Sequence, residues 1–415
     1  MGNRVIVVGA GPAGIFSGIY AAKEGAEVLI LEKNEEIGKK LRITGGGRCN
    51  FTNSGDVTDH RRATVHNSKF MIPALMHLSP QKTMDFFIER GLEIIIEEDG
   101  SVFPKTNKSQ DVIRLLQKEL MELKIPVSLN HEVEELMMEE SRVAGVRLKD
   151  GRNLNADRVI LTTGGASYPK TGSDGKSFLM IEKAGHSIVS LKPALTSFEI
   201  KDQWIRGYPG VSFGDVKVKI GKGKKAFQER GSLLITHYGI SGPPIIKLSS
   251  RINERDFHQE ELTLRIDFFP DKSNEEIRTW LINLEGSGRQ LKTLLKEYWP
   301  IRFLEGFLEE LKIDGQQPMN HLKKEDRNRL IEGFKQLPLS IKGLRPLRES
   351  MVTAGGVNVK EVNPGRLESK LIKNLYFAGE VLDVDAITGG YNLQIAFSTG
   401  ALAGKSAGEG GDSHD

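Results

Sequence analysis

Glycines at positions 9, 11 and 14, in the segment VGAGPAG, stand directly after an apolar β-branched run and directly before a helical pattern. Residues of this type and spacing suit one task well. The glycines let the backbone approach a pyrophosphate, and the following helix turns free N–H groups and the positive end of its dipole towards it. Glu32 closes the next apolar run, EVLIL, where a carboxylate is placed to accept hydrogen bonds from a ribose diol. A tight structural turn is the plain alternative for Gly9, Ala10, Gly11, Pro12, Ala13 and Gly14, but here two strands, a helix and the acid occur together. An acid at position 32 also disfavours a 2'-phosphate, which points to FAD or NAD rather than NADP.

A second glycine-rich segment decides between those two. KNLYFAGEVLDVDAITGGYNLQIAFSTG runs from a strand through Gly379 and Glu380 to the pair Gly389 and Gly390 and into a helix. A lone NAD domain does not need it. An extended FAD does: an acid near the ribityl chain or pyrophosphate, and helix N-terminal amides where negative charge gathers on the reduced ring. Gly379, Glu380, Gly389, Gly390, Asn392 and Leu393 are the candidates.

Three further places carry candidate chemistry. His237, in THYGISGP, ends a strand and precedes turn-forming residues, so it could donate a proton to a substrate whose neighbouring carbon takes hydride. Tyr238 and Ser241 rank after it, and a purely structural junction is the alternative. Thr353 to Gly356 either line the ring or form a tight turn. Cys49, the only cysteine, is either a redox-active thiol beside the flavin, which needs a thiolate-stabilising setting, or a small buried residue in a loop acting through its backbone.

These groups need elements to hold them. Residues 4–8 and 27–31 read as strands flanking a helix that reaches Lys23, a βαβ unit. PQKTMDFFIER and QDVIRLLQKELMEL read as helices, LEIIIEEDGSVF as a hairpin turning at Asp99-Gly100, and VAGVRLKDGRNLNADRVILTTGG as short strands. From about Leu191 the pattern changes to the strand-like FEI, VKVKI, SLLITH and LTLRIDFF; a capping box at Ser273 and Glu276 then opens a helical stretch to Leu337. This divides the chain into a discontinuous nucleotide domain, 1–190 with 341–415, and an inserted domain, 191–340, β-rich over 191–270 and helical over 273–337. Residues 405–415 have too little apolar content to fold and read as a flexible tail.

Composition fits this division. A chain of 415 residues with 38% hydrophobic content is too large for one core. Its 58 basic and 55 acidic residues leave a formal charge of +3, which does not mark a dedicated polyanion binder. One cysteine excludes an internal disulfide or dithiol relay, and no segment has the apolar length of a membrane span, so the cytoplasm is the expected location. No metal ligand is assigned.

The combination VVGAGPAG, KKLRITGGGRCNFTN, HYGISGP and GEVLDVDAITGGYNLQIAFSTG resembles, over essentially the whole chain, the BaiN-like family of bacterial flavoproteins, often labelled the aminoacetone oxidase family. ILTTGG and MVTAGGV more distantly resemble segments of the fumarate reductase and succinate dehydrogenase flavoproteins. The resemblance implies an α/β fold of the two-dinucleotide-binding-domain flavoprotein type with a Rossmann-like FAD domain, bound FAD, and an inserted substrate domain of β and helical parts. It places the loop Lys40 to Asn50 along the cofactor, with Lys40, Arg42 and Arg48 offsetting phosphate charge and Thr44, Gly45, Gly46, Gly47, Arg48, Cys49 and Asn50 presenting amides. Lys33, Val133, Thr163, Gly164, Gly165 and Asp383 complete the candidate contacts.

No second strand-GxGxxG-helix unit accompanies the first; the nearest string, GKGKKA, lies in a lysine-rich turn. A single flavin cleft used in turn by donor and acceptor is therefore expected. Reduction of an activated C=C bond in a small-molecule substrate, with NAD(P)H or another redox partner as donor, is the leading function; oxidation of a small amine by oxygen is the alternative. A third class is a non-enzymatic, FAD-dependent or RNA-associated protein. Lys217, Lys219, Lys222, Lys224 and Lys225 alternate with apolar residues and glycines as a solvated hairpin face does, and no RNA-binding signature accompanies them.

Overall fold

The computed structural model describes residues 3–221, 223, 226–257, 259–284 and 288–409. The chain forms two compact units, Met1–Ala194 with Leu347–Asp415, and Leu195–Pro346.

The first unit is built on a parallel five-stranded sheet in the order Leu375–Phe377, Arg158–Leu161, Arg4–Val8, Glu27–Leu31, Val127–Ser128. Val5, Val7, Ile30, Val159, Ile160 and Leu161 are fully buried, as expected for strands covered on both faces. Pro12 begins the helix Pro12–Lys23, where its missing N–H costs nothing and its fixed φ suits the first turn. That helix packs on the C-terminal helix Tyr391–Gly408 at backbone distance: added Cβ atoms at Gly400 and Gly404 would lie 2.3 and 2.2 Å from the carbonyl oxygens of Ala13 and Ser17. Glycines four apart make one smooth helix face, and residues 13 and 17 present a matching one.

Two small antiparallel sheets flank this core, Val133–Glu139 with Arg142–Leu148 and Asn153–Asn155, and Thr52–Asn53 with Ser101–Pro104 and Ile94–Ile96. Ile188–Ala194 pairs with Val352–Val357, so the chain leaves this unit and returns to it on adjacent strands. Residues 353–356 thus form a buried strand, and the tight-turn alternative is set aside. The expected flexible tail is also shortened: the C-terminal helix continues through Lys405 to Gly408, and residues 410–415 lie outside the described residues.

The second unit is a closed six-stranded antiparallel barrel, in the order Phe198–Ile200, Gly239–Ser241, Phe227–Thr236, Ser212–Ile220, Leu262–Asp267, Leu337–Leu344. The helices Asn274–Leu284, Leu291–Leu295, Ile301–Glu310 and Lys324–Gln336 precede the last strand. Trp299, Phe303, Phe307 and Phe334 join Phe213 and Phe268 in one aromatic core. The strand Leu337–Leu344 corrects the sequence boundary, which ended the β part at 270. It closes the barrel on Phe198–Ile200, and Leu337, Leu339 and Ile341 point inwards alternately. Val216, Val218 and Ile220 are buried while Lys219 is exposed and Lys217 half-exposed; Lys222, Lys224 and Lys225 lie outside the described residues. Among the described residues no helix is long and apolar enough to cross a membrane.

Candidate functional site

The first unit contains a cavity of about 550 Å³. Its walls bring together Gly9, Gly11, Pro12, Ala13, Glu32, Lys33, Lys40, Thr44, Val133, Thr163, Gly164, Gly379, Glu380, Asn392 and Leu393 from segments far apart in sequence.

The glycines of the first turn do different work. Gly9 has φ 106°, and a Cβ there would lie 2.7 Å from the Thr162 carbonyl oxygen. A Cβ on Gly14 would lie 1.8 Å from the Gly9 carbonyl oxygen. At Gly11 an added Cβ would meet nothing within 4 Å, so the space it leaves is open, and no side chain caps the helix that starts beside it. An uncapped helix N-terminus over open space is a cradle for an anion.

Glu32 is almost fully buried. One carboxylate oxygen accepts from the Ala10 amide at 2.7 Å; the other accepts from the Asn34 amide at 2.9 Å and its side-chain nitrogen at 2.7 Å. Two carboxylate oxygens offer about four acceptor sites, so capacity remains for a ligand hydroxyl. Lys33 donates to Asp174 at 2.9 Å. Burial alone would raise the Asp174 carboxyl, but hydrogen bonding and charge from Lys33, with Lys176 adding to them, hold it below its ordinary range.

A polar network ties the middle of the cavity together. Lys40 Nζ donates to Ser167 Oγ and Glu380 Oε2, both at 2.7 Å. The other Glu380 oxygen accepts from the Thr353 amide at 2.8 Å and from Ser167 Oγ at 3.1 Å, and Thr353 Oγ1 accepts from the Ala166 amide. Gly165 does not line the cavity; its missing Cβ makes room for Thr353 Oγ1, which would be 2.4 Å away. Ser167 and Thr353 thus hold the lysine–glutamate pair, and sequence reading did not pick out Ser167. At the C-terminal helix, Gly390 is the N-cap with φ 89° and no capping side chain, and Asn392 binds both the amide and the carbonyl of Ala386.

Other candidates lie elsewhere. Ala10, Gly14, Gly389 and Gly390 shape the turns behind the wall, where a Cβ on Gly390 would lie 2.1 Å from the Thr52 carbonyl oxygen. Arg42 pairs with Glu36 at the surface; Arg48 binds Glu97 and Asn107 and lies over the Phe103 ring. Neither guanidinium lines the cavity, because a nearby carboxylate takes each first. Gly45, Gly46 and Gly47 all have positive φ and form a tight turn, with the Cys49 amide donating to the Thr44 carbonyl. Cys49 is fully buried, and burial pushes its thiol up to about 12 against a weaker opposing hydrogen bond from Thr44. This setting favours reading Cys49 as a small buried residue in a loop that acts through its backbone, the second of its two readings. Asn50 and Asp383 also fall outside the lining, Asp383 being bound by Asn67.

In the second unit, His237 is exposed in the turn between Phe227–Thr236 and Gly239–Ser241. The neighbouring Tyr238 ring lies 4.2 Å from the Arg345 guanidinium, which is itself held by Glu199 at 2.7 Å, and Ser241 bonds Ser197.

Open space at Gly11, two uncapped helix N-termini and an acid with spare capacity fit one extended dinucleotide. Bound there, FAD would be held by Gly9, Gly11 and Glu32 at its nucleotide part and by Glu380, Asn392 and Leu393 further along.

Comparison with known proteins identifies the family. The family described as HI0933-like protein Rossmann domain matches residues 3–406. A 3-dehydro-bile acid delta(4,6)-reductase from Clostridium scindens is 34% identical over 98% of this chain and 99% of its own length. A ribosomal RNA dihydrouridine synthase from Haemophilus influenzae is 28% identical over 95% of this chain and 96% of its own. Among solved structures, a 3-ketosteroid delta1-dehydrogenase from Sterolibacterium denitrificans has a TM-score of 0.54 at 15% identity, covering 98% of this chain and 99% of that one; this likeness concerns the fold. The chain belongs to the HI0933-like Rossmann family, and its enzyme class is that of the FAD-dependent oxidoreductases.

Proposed function

We propose that this protein saturates a carbon–carbon double bond conjugated to a carbonyl, using bound FAD and a nicotinamide donor. One observation carries the reading: the full-length relatives are named for such a reduction, of delta(4,6) bonds in a 3-dehydro bile acid and of uridine to dihydrouridine. In each, the double bond is polarised by a carbonyl, so the distal carbon accepts hydride and the carbon beside the carbonyl then needs a proton.

FAD supplies the hydride chemistry when bound. The residues of this chain supply the rest. Gly9, Gly11 and the amides after Pro12 receive the pyrophosphate, and Glu32 the ribose. Lys40 and Glu380 fix the polar middle of the cofactor, and the first-turn amides beside Asn392 and Leu393 favour negative charge on the ring. His237 is our candidate proton donor to substrate, on the strength of its strand-end position and its exposed imidazole. Among the described residues only one such dinucleotide turn exists, so donor and acceptor use the cleft in succession.

The test has two stages. Denaturation should release FAD; recovery of FMN alone, or no binding of added FAD, rejects the cofactor. Anaerobically, NADH or NADPH should bleach the flavin and an enone should restore its colour. Amine-dependent peroxide formation without donor bleaching would establish the oxidase alternative instead. A flavin that no donor reduces would point to the non-enzymatic class. A second substrate reading, uridine in RNA, is favoured by the dihydrouridine synthase relatives from two organisms. It predicts reoxidation by RNA, with a gain of two hydrogens in a nucleotide.

A further inference from the structure

Residues 168–176 form part of the cavity wall and have no role in the account above. Thr171, Gly172, Ser173 and Lys176 line the cavity, as do Lys33 and Asn34 from the strand end that carries Glu32. The sequence YPKTGSDGK shapes this segment: Gly172 and Gly175 have φ 101° and 76°, and the amides of Thr171 and Gly172 donate to the carbonyls of Tyr168 and Pro169. Those backbone bonds stay within the segment. Side chains join it to the Glu32 strand end. Asn34 Nδ2 donates to Glu32 Oε1 at 2.7 Å and to the Thr171 carbonyl at 3.2 Å, and Lys33 Nζ donates to Asp174 Oδ1 at 2.9 Å. The fit is close. A Cβ on Gly172 would lie 2.5 Å from Asn34 Nδ2 and 3.2 Å from Lys33 Cε, and a Cβ on Gly164 would lie 2.7 Å from Ser173 Oγ.

The Lys33–Asp174 pair can open without stranding a buried charge. The two side chains keep 29% and 21% of their surface exposed, so water reaches both when they part. Asp174 then still has Lys176, whose amide and Nζ lie 3.2 and 3.4 Å from its oxygens, and the charge of Lys149 also acts on it. A segment fastened in this way has two states, fastened and free, separated by one charge-assisted bond and one side-chain amide bond.

We propose that residues 168–176 are a strap over the nucleotide end of the cofactor, and that Lys33 and Asp174 are the positioning residues that latch it and so set how fast FAD enters and leaves. The inference rests on the dinucleotide assignment of this cavity and not on the double-bond reduction. A ligand that has to pass the strap exchanges in proportion to the fraction of molecules in which it is free. Weakening the latch therefore raises the rates of entry and exit together and leaves affinity nearly unchanged. A lysine that bound a phosphate directly would behave differently, since its loss would raise the exit rate alone.

The test needs no substrate. Apoprotein is mixed rapidly with FAD and the quenching of flavin fluorescence gives the entry rate; holoprotein chased with excess ADP gives the exit rate as fluorescence returns. Lys33→Met and Asp174→Asn should each raise both rates by about 3- to 10-fold, and the double variant should go no further than either single one. Raising the salt concentration from about 0.05 to about 0.5 M should speed exchange in wild type more than in the double variant, because only wild type has the pair to screen. A rise in the exit rate alone, opposite effects of the two single variants, or unchanged rates in both would overturn the latch. An apoprotein that takes up no FAD would overturn the strap together with the cofactor assignment. The expected rate changes in a protein that reduces no enone or RNA would leave the latch standing and reject the substrate reading instead.

Discussion

Glu32→Gln separates the two tasks that converge on this side chain. The carboxylate accepts from the Ala10 amide, the Asn34 amide and the Asn34 side chain. Glutamine has one acceptor oxygen. Turned towards Asn34, it keeps both bonds there and sets its own NH2 against the Ala10 N–H, leaving a buried donor unpaired at a cost of ~1–3 kcal/mol. The apoprotein should therefore melt a few degrees lower. Separately, the charged acceptor for the ribose diol is gone, and bonds to a charged group are worth ~1.5–3 kcal/mol. At 1.4 kcal/mol per tenfold, FAD should bind roughly 10- to 100-fold more weakly. Titration of apoprotein by quenching of flavin fluorescence gives the second quantity, and a melt without cofactor gives the first. Donor-driven reduction of the saturated variant should stay close to wild type, since the ribose is remote from the ring. A lowered melting temperature with unchanged FAD affinity would refute the assignment: Glu32 would then serve only the turn.

The glycines of the first turn give a paired prediction. Gly11→Ala should leave the apoprotein melting temperature nearly unchanged while FAD affinity falls, whereas Gly14→Ala should destabilise the apoprotein itself, because its Cβ would collide with the Gly9 carbonyl; equal melting curves for the two would contradict the geometry. Cys49→Ser should keep most turnover, and the native thiol should resist alkylation at neutral pH. As its folded value lies near 12 against an ordinary 9.0, stability from the neutral buried thiol is complete below about 9 and is lost as pH rises towards 12, which a denaturation series at alkaline pH would show. His237→Ala should leave FAD binding and melting temperature close to wild type and slow reoxidation by the acceptor by ~10²- to 10⁴-fold, with a smaller effect on reduction by the donor. Wild-type rates in both half-reactions would reduce His237 to a structural residue.

The local parts of the site were legible because their signals are local. Gly9, Gly11, Pro12 and Glu32 fall within one βαβ unit, so strand, turn and helix patterns reinforce one another. The partners of charged side chains were not legible. Arg42 and Arg48 were expected on a phosphate, yet Glu36 and Glu97 bind them, and composition cannot say which of several carboxylates a flexible arginine will reach. Lys40 meets Glu380 across 340 residues of sequence, and Ser167, a small residue in a polar loop, gave no sign that it would join them. The closing barrel strand Leu337–Leu344 carries a period-two pattern, but Pro338 near its start and the helix directly before it hid that pattern.

The contact between the N-terminal helix and the glycine face of the C-terminal helix has a consequence for synthesis on the ribosome. Ala13 and Ser17 are synthesised about 390 residues before Gly400 and Gly404. At roughly 5–20 residues per second, that interval is about 20–80 s. Throughout it the first helix lacks the surface built to cover it, and for most of it the strand Leu375–Phe377 that completes the parallel sheet is also unmade. The nascent chain must therefore keep an apolar flank shielded by other means, such as a chaperone, and the cofactor cavity stays incomplete until Asn392 and Leu393 have been made. Ribosomes stalled before residue 400 should carry chains that retain no flavin, however well their first βαβ unit has formed.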